Sequence, residues 1–146
     1  MGVNLKELAA EITAATGAKV DYLSADLSAK GSAKTVSDWA GDIDILVNNA
    51  GAIPGGDLLT VDEDTWRTAW DLKVFGYINL CREIYRKMKV RHQGVIVNIL
   101  GAAGERLTSS YIAGSTANAG LMAFTRALGG SSHKDGIRVV GVSPGP

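Results

Sequence analysis

The sequence predicts an α/β protein, built on a doubly wound, mostly parallel sheet with flanking helices, here an incomplete one. Three observations predict it. Short apolar runs, IDILVNNAG (43–51), GVIVNIL (94–100) and IRVVGVSPGP (137–146), read as strands buried on both faces. Segments of helical period separate them, the alternation of βαβ units with right-handed crossovers. Each run ends in small, polar or glycine residues, and such sheets bind ligands outside the carboxyl ends of their strands.

Composition narrows the class. The 146 residues suffice for one domain, taken as 1–146, and are 46% hydrophobic and 21% charged, which argues against disorder. Lys+Arg and Asp+Glu number 15 each, so there is no electrostatic footprint for nucleic acid or an anionic membrane. The apolar runs are too short to span a bilayer. MGVNLKELAAEI lacks the layout of a secretion signal, and Lys6 spoils a myristoylation pattern. A soluble, cytoplasmic protein is expected. Cys81 is the single cysteine, which excludes a disulfide framework and a cysteine metal cluster. It falls in an apolar helical pattern and reads as a small buried hydrophobe. His92 and His133 lie far apart in loop-like settings and read as surface residues, so no metal is expected.

The elements follow in order. Asn4 caps a helix to about Thr16, with Leu5, Leu8 and Ile12 on one face and Gly17 as the stop. AKVDYLSADL (18–27) reads as a short strand ending in Asp26-Leu27. Ser32 to Ala40 is a weak helix closed by Gly41. After the strand at 43–51 and the loop GAIPGGDLLT, Asp62 caps a long helix to about Val90. Its apolar stripe runs Trp66, Trp70, Tyr77, Leu80, Ile84, Met88, and that spacing marks packing rather than a stacking platform. The strand at 94–100 leads into the small-residue turn GAAGE. A last helix spans about Ser110 to Leu128, ended by Gly129-Gly130, before the strand at 137–146. Asp26, Asn48–Gly51, Gly101 and Pro144-Gly145 all fall at the carboxyl rim of this sheet.

ADL, DILVNNAG, GVIVNI, LMAFTRALG and IRVVGVSPGP, in that order and at those intervals, resemble the short-chain dehydrogenases/reductases over essentially the whole chain. The resemblance implies a Rossmann-like sheet, NAD or NADP as cofactor, and hydride transfer between the nicotinamide and a carbonyl or alcohol of a small-molecule substrate. It matches Asp26 and Leu27 to the pair that holds the adenine. Asn48, Ala50 and Gly51 match the turn along the cofactor, and Pro144 and Gly145 the pair beside the nicotinamide. NNAG also has a structural reading, as a turn that stabilises the central strand. The family's long helices form a subunit contact, so a homo-oligomer is implied.

Parts of the pattern are missing. The family's first strand and its glycine-rich turn, T-G-x-x-x-G-x-G, do not occur here, nor does a substrate lid after Pro146. That turn is where backbone amides at a helix amino terminus would take the cofactor's pyrophosphate. The chain therefore reads as truncated at both ends, inactive by itself, and poorly folded or oligomeric through an open sheet edge.

The family's catalytic set is serine, tyrosine and lysine, with an asparagine on the preceding helix. The lysine lowers the tyrosine's pKa so that the phenol exchanges a proton at neutral pH. Two alignments compete. One puts the tyrosine at Tyr111 and the lysine at Ser115. The other, anchored on LMAFTRAL, puts tyrosine at Gly114, lysine at Asn118 and, thirteen residues before Gly114, serine at Gly101. The second fits both flanks without a gap. Lys73 then stands where the asparagine belongs. Lys73 also lies in the apolar stripe between Trp70 and Tyr77, so it must be paired, snorkel outward or lose its proton.

The expected catalytic residues are therefore Tyr111 as proton donor, Lys73 as the cation from the neighbouring helix, and Asn118, which also meets the cofactor. The competing readings are a surface Tyr111, a snorkelling Lys73, and a non-catalytic nucleotide-binding relative or inactive fragment.

Overall fold

The computed structural model describes residues 4–144. Helix α1 spans Leu5–Thr16, with the Asn4 side chain accepting the Lys6 and Glu7 amides at 3.1 and 3.4 Å and Gly17 ending it in the left-handed region at φ 71°. Helix α2 is Ser32–Ala40 and stops at Gly41. Strand β1 is Ile45–Asn48, helix α3 is Glu63–Trp70 and helix α4 is Gly76–Arg91. Strand β2 is Gly94–Ile99, helix α5 is Ile112–Ser132 and strand β3 is Ile137–Val142. The three strands are parallel in the order β1-β2-β3, with Leu46, Ile96 and Val139 in one register row.

That row carries the main core. Leu80, Ile84 and Met88 of α4 pack on Leu46, Ile96 and Val139, and Phe124 and Leu128 of α5 complete the layer. The stripe foreseen on the long helix is the buried face of α4, with Tyr77, Leu80, Ile84 and Met88 all buried. Cys81 is buried too, and that pushes its thiol up to about 11. A polar chain crosses the sheet beneath the rim. Asn48 Nδ2 donates to Asn98 Oδ1 at 2.8 Å, and Asn98 Nδ2 donates to Thr125 Oγ1 at 2.9 Å. Buried amides must be bonded, and these satisfy one another across β1, β2 and α5.

The structure departs from the sequence reading at three places. Residues 18–27 form no strand: no described strand lies beside them, and a strand without a ladder has no partner for its amides. The helix that starts after Asp62 does not run uniformly to Val90. It widens into a π turn at Asp71–Phe75 between α3 and α4. Gly129-Gly130 does not end α5, which continues to Ser132; Gly136, at φ 73°, closes the short turn after it. Two glycines cost a helix about 1 kcal/mol each. Here the first one lets the sheet approach, since a Cβ on Gly129 would stand 2.7 Å from the Val139 carbonyl oxygen. Packing outweighs propensity.

Among the described residues, no helix packs on one face of the sheet. Both helices that pack on the sheet, α4 and α5, lie on the Leu46 side. On the other side Ile45 is 59% exposed and Val47 55%.

Candidate functional site at the carboxyl rim of the sheet

The rim is built where the three strands run out. After β1 the chain passes through Asn49, Ala50 and Gly51, all exposed, while Asn48 keeps its amide inside the sheet. The next loop is pinned across the rim: Gly56 donates to the Ser110 carbonyl at 2.8 Å, and Ile112 donates to the Gly56 carbonyl at 3.2 Å. The turns after β1 and β2 are thus fastened together at the start of α5. The Trp70 indole reaches the same place and donates to the Ala113 carbonyl at 3.3 Å. Pro144 follows β3; Gly145 lies outside the described residues.

Three contacts decide what this rim is made of. The aliphatic stem of Lys73 lies over Gly51: a Cβ there would stand 2.8 Å from Lys73 Cδ and 3.1 Å from Cγ. The π turn holds Lys73 and brings it from the long helix onto the NNAG turn. The Tyr111 ring lies over Gly114, where a Cβ would stand 2.6 Å from Cε2 and closer to two other ring atoms. Asn118 joins the remaining two positions. Its Oδ1 accepts the Gly101 amide at 2.7 Å, and its Nδ2 donates to the Gly114 carbonyl at 2.8 Å. Gly101, Gly114 and Asn118, thirteen and four residues apart along the chain, are one cluster in space. Ser115, the lysine position of the other alignment, turns its hydroxyl to the Thr108 backbone.

The electrostatics single out Lys73. Burial alone holds its ammonium below the usual lysine range, with no carboxylate to offset it. Tyr77, one helical turn on, is pushed up to about 12 by burial, and its hydroxyl donates to the Ile99 carbonyl at 3.1 Å. It is a structural phenol. The Asn118 amide is committed to the backbone at both ends and is buried.

Asp26 and Leu27, expected to hold the adenine, sit apart from this cluster, on the same rim. Asp26, Ser28, Ala52, Pro54, Thr68 and Leu72 line one cleft beside the NNAG turn. The Asp26 carboxylate accepts the Ser28 hydroxyl and amide, which hold it below the usual carboxylate range. Leu27 packs against Gly76 of α4. Sequence reasoning missed Asn98 and Thr125, which fix the end of β2 from beneath. An asparagine inside the apolar run GVIVNIL was the signal that could have found them.

Comparison with known proteins agrees with this geometry. A family model for short chain dehydrogenase matches residues 2–146. A 3-oxoacyl-(acyl-carrier-protein) reductase FabG from Chlamydia muridarum is 30% identical over 145 residues, covering 96% of this chain and 58% of its own. A solved short chain dehydrogenase/reductase family protein is 34% identical, with a TM-score of 0.85 over 97% of this chain and 59% of that one. An NAD+-bound xylitol dehydrogenase shares the fold at 23% identity and a TM-score of 0.89. The chain thus spans little more than half the length of these relatives. The parallel sheet, its flanking helices and the rim just described are an incomplete Rossmann-like arrangement, and the chain belongs to the short-chain dehydrogenase/reductase family.

Proposed function

We propose that this chain carries the catalytic half of an NAD- or NADP-dependent oxidoreductase whose proton-transfer residues have been rearranged. The observation that carries the proposal is the pair of contacts at the rim, Lys73 laid over Gly51 and Tyr111 laid over Gly114. The first puts a cation above the expected cofactor turn, the second a phenol above the first turn of the expected catalytic helix. The cofactor fits the residues present on its adenine and nicotinamide sides: the exposed Asn49–Gly51 turn, the Asp26 cleft and Pro144. Nothing in the 146 residues supplies the glycine-rich pyrophosphate turn, so the chain by itself is expected to be inactive.

Bound nicotinamide would supply or accept the hydride. Tyr111 would give its hydroxyl proton to the oxygen of a carbonyl substrate, and take it back in the oxidising direction. Lys73 would stabilise the phenolate left behind, and its partly buried position strengthens that interaction. Asn118 holds the Gly101 turn to the catalytic helix and so positions Tyr111 rather than reacting. A homo-oligomer through the long helices and a cytoplasmic site of action complete the reading.

The test is a segment exchange, in which residues 2–146 replace the matched segment of the Chlamydia muridarum reductase. NAD(P)H-dependent reduction of 3-oxoacyl thioesters and simple ketones is then followed at 340 nm. Turnover that falls at least 100-fold in Tyr111→Phe and in Lys73→Met supports the proposal. A folded exchange protein that binds cofactor but turns over nothing would support a non-catalytic nucleotide-binding relative instead.

A further inference from the structure

Lys73 and Tyr111 sit on different helices, and the proposed chemistry needs them at one separation. The contact between those helices is mostly apolar. Val74 and Tyr77 of the long helix cluster with Ala117, Leu121 and Met122 of α5. Ala113, Ala117 and Leu121 are fully buried. Burial of this kind is non-directional, so it holds two helices together without fixing one against the other. The alanines of α5 also make shallow ridges, which resist sliding little.

One contact there is directional. The Trp70 indole Nε1 donates to the Ala113 carbonyl at 3.3 Å. Among the described residues it is the only hydrogen bond that joins α3, the π turn or α4 to α5. Its two ends frame the proposed pair. Trp70 is the last residue of α3, and Lys73 follows three residues later inside the π turn. Ala113 lies in the first turn of α5, two residues after Tyr111. Backbone bonds to Gly56 tie the chain on either side of Tyr111 to the loop after β1. Trp70 adds the constraint toward the helix of Lys73. Packing alone does not call for an indole there. A phenyl or leucine side chain fills an apolar groove, whereas a part-buried N–H needs an acceptor. The Ala113 carbonyl has a second lone pair for it beside its helix bond.

We propose that Trp70 is a positioning residue, whose indole bond to the Ala113 carbonyl sets the separation of Lys73 from Tyr111. The inference rests on the rearranged proton-transfer pair proposed above. Trp70 takes no part in the chemistry itself and acts on turnover through Lys73 and Tyr111. Reacting groups that must meet within a fraction of an ångström lose rate when their frame loosens. Binding of the substrate uses other parts of the rim, so the loss falls on kcat rather than KM.

The experiment uses the segment-exchange enzyme with three changes, made singly: Trp70→Phe, Trp66→Phe, and benzothienylalanine in place of Trp70. The last exchanges the indole N–H for sulfur and keeps the shape of the ring system. Trp66 is the packing control, since it stands beside Trp70 on the same helix with ring centroids 6.4 Å apart. Carbonyl reduction at 340 nm gives kcat and KM, and urea midpoints on the same samples separate misfolding from mispositioning. The expected result is a kcat at least tenfold lower in both forms changed at Trp70, with KM within about twofold of the parent. Trp66→Phe should keep both constants within about twofold. Should Trp70→Phe fail to fold, the benzothienyl form carries the test by itself. A benzothienyl form with the parental kcat overturns the proposal, because the indole would then be packing alone. So does an equal loss in Trp66→Phe, or a rise in KM with kcat kept. Loss of turnover in Tyr111→Phe beside an unaffected benzothienyl form fails this inference alone. Turnover that survives Tyr111→Phe, or an exchange enzyme without turnover, removes the proposed pair and the inference with it.

Discussion

Replacing Gly114 by alanine tests the site at its most exposed assumption. The Tyr111 ring occupies the space above Gly114, and a methyl group there would stand 2.6 Å from Cε2 and nearer to Cε1 and Cζ. Ordinary contact begins near 3.4 Å, so the ring must retreat by about 1 Å or more. Misplacement of a reacting group by about 1 Å costs on the order of 100-fold in rate. The fold should not suffer. Gly114 lies inside α5, where alanine is better than glycine by about 1 kcal/mol. The clash is with a side chain at the helix start, which is free to turn. Gly114→Ala should therefore lower kcat by roughly 100-fold while the urea midpoint holds or rises. The assay is NAD(P)H oxidation by the segment-exchange enzyme, with the unfolding curve measured on the same samples. An unchanged kcat would refute the reasoning, because a displaced Tyr111 would then have no part in the chemistry.

Lys73→Met should raise stability while abolishing turnover. The folded pKa of Lys73 is depressed, so the folded state binds its proton less tightly than the unfolded state does. The cost is complete below that folded pKa and is relieved as pH rises toward the ordinary value of 10.5. Thermal melts from pH 7 to 10 should show a stability gain with pH in the wild type that is smaller in the variant. Asn98→Ala should cost about 2–4 kcal/mol in urea unfolding, because it leaves the buried Asn48 amide with only the Cys81 sulfur to donate to and takes the Asn98 donor from Thr125. A loss below 0.5 kcal/mol would show that the polar chain does not hold the rim. Gly136→Ala should cost about 2–3 kcal/mol, since φ is 73° and the new Cβ would stand 2.6 Å from the His92 carbonyl carbon. Retention of the wild-type midpoint would contradict that.

What the sequence made legible was set by local rules. The caps at Asn4 and Asp62 are read from one residue type and its place, and the structure bonds them as expected. The apolar runs gave the three paired strands because burial on both faces leaves a continuous signature. Residues 18–27 carry similar propensity but lack a neighbour, and a strand is a property of pairs. Gly129 and Gly130 read as a stop because propensity is local, whereas the close approach of Val139 that favours glycine there is not. In the site, the spacing of Gly101, Gly114 and Asn118 pointed to one cluster. The two contacts that matter most, Lys73 on Gly51 and Tyr111 on Gly114, depend on a π turn and on an aromatic ring folding back along its own helix. Neither leaves a periodic trace.

The most direct measurement of the central claim is the rate of NAD(P)H-dependent carbonyl reduction by the segment-exchange enzyme, compared with its Tyr111→Phe and Lys73→Met variants. The account predicts turnover in the first and at least a 100-fold loss in each variant, with cofactor still bound. Turnover that survives both substitutions would contradict it.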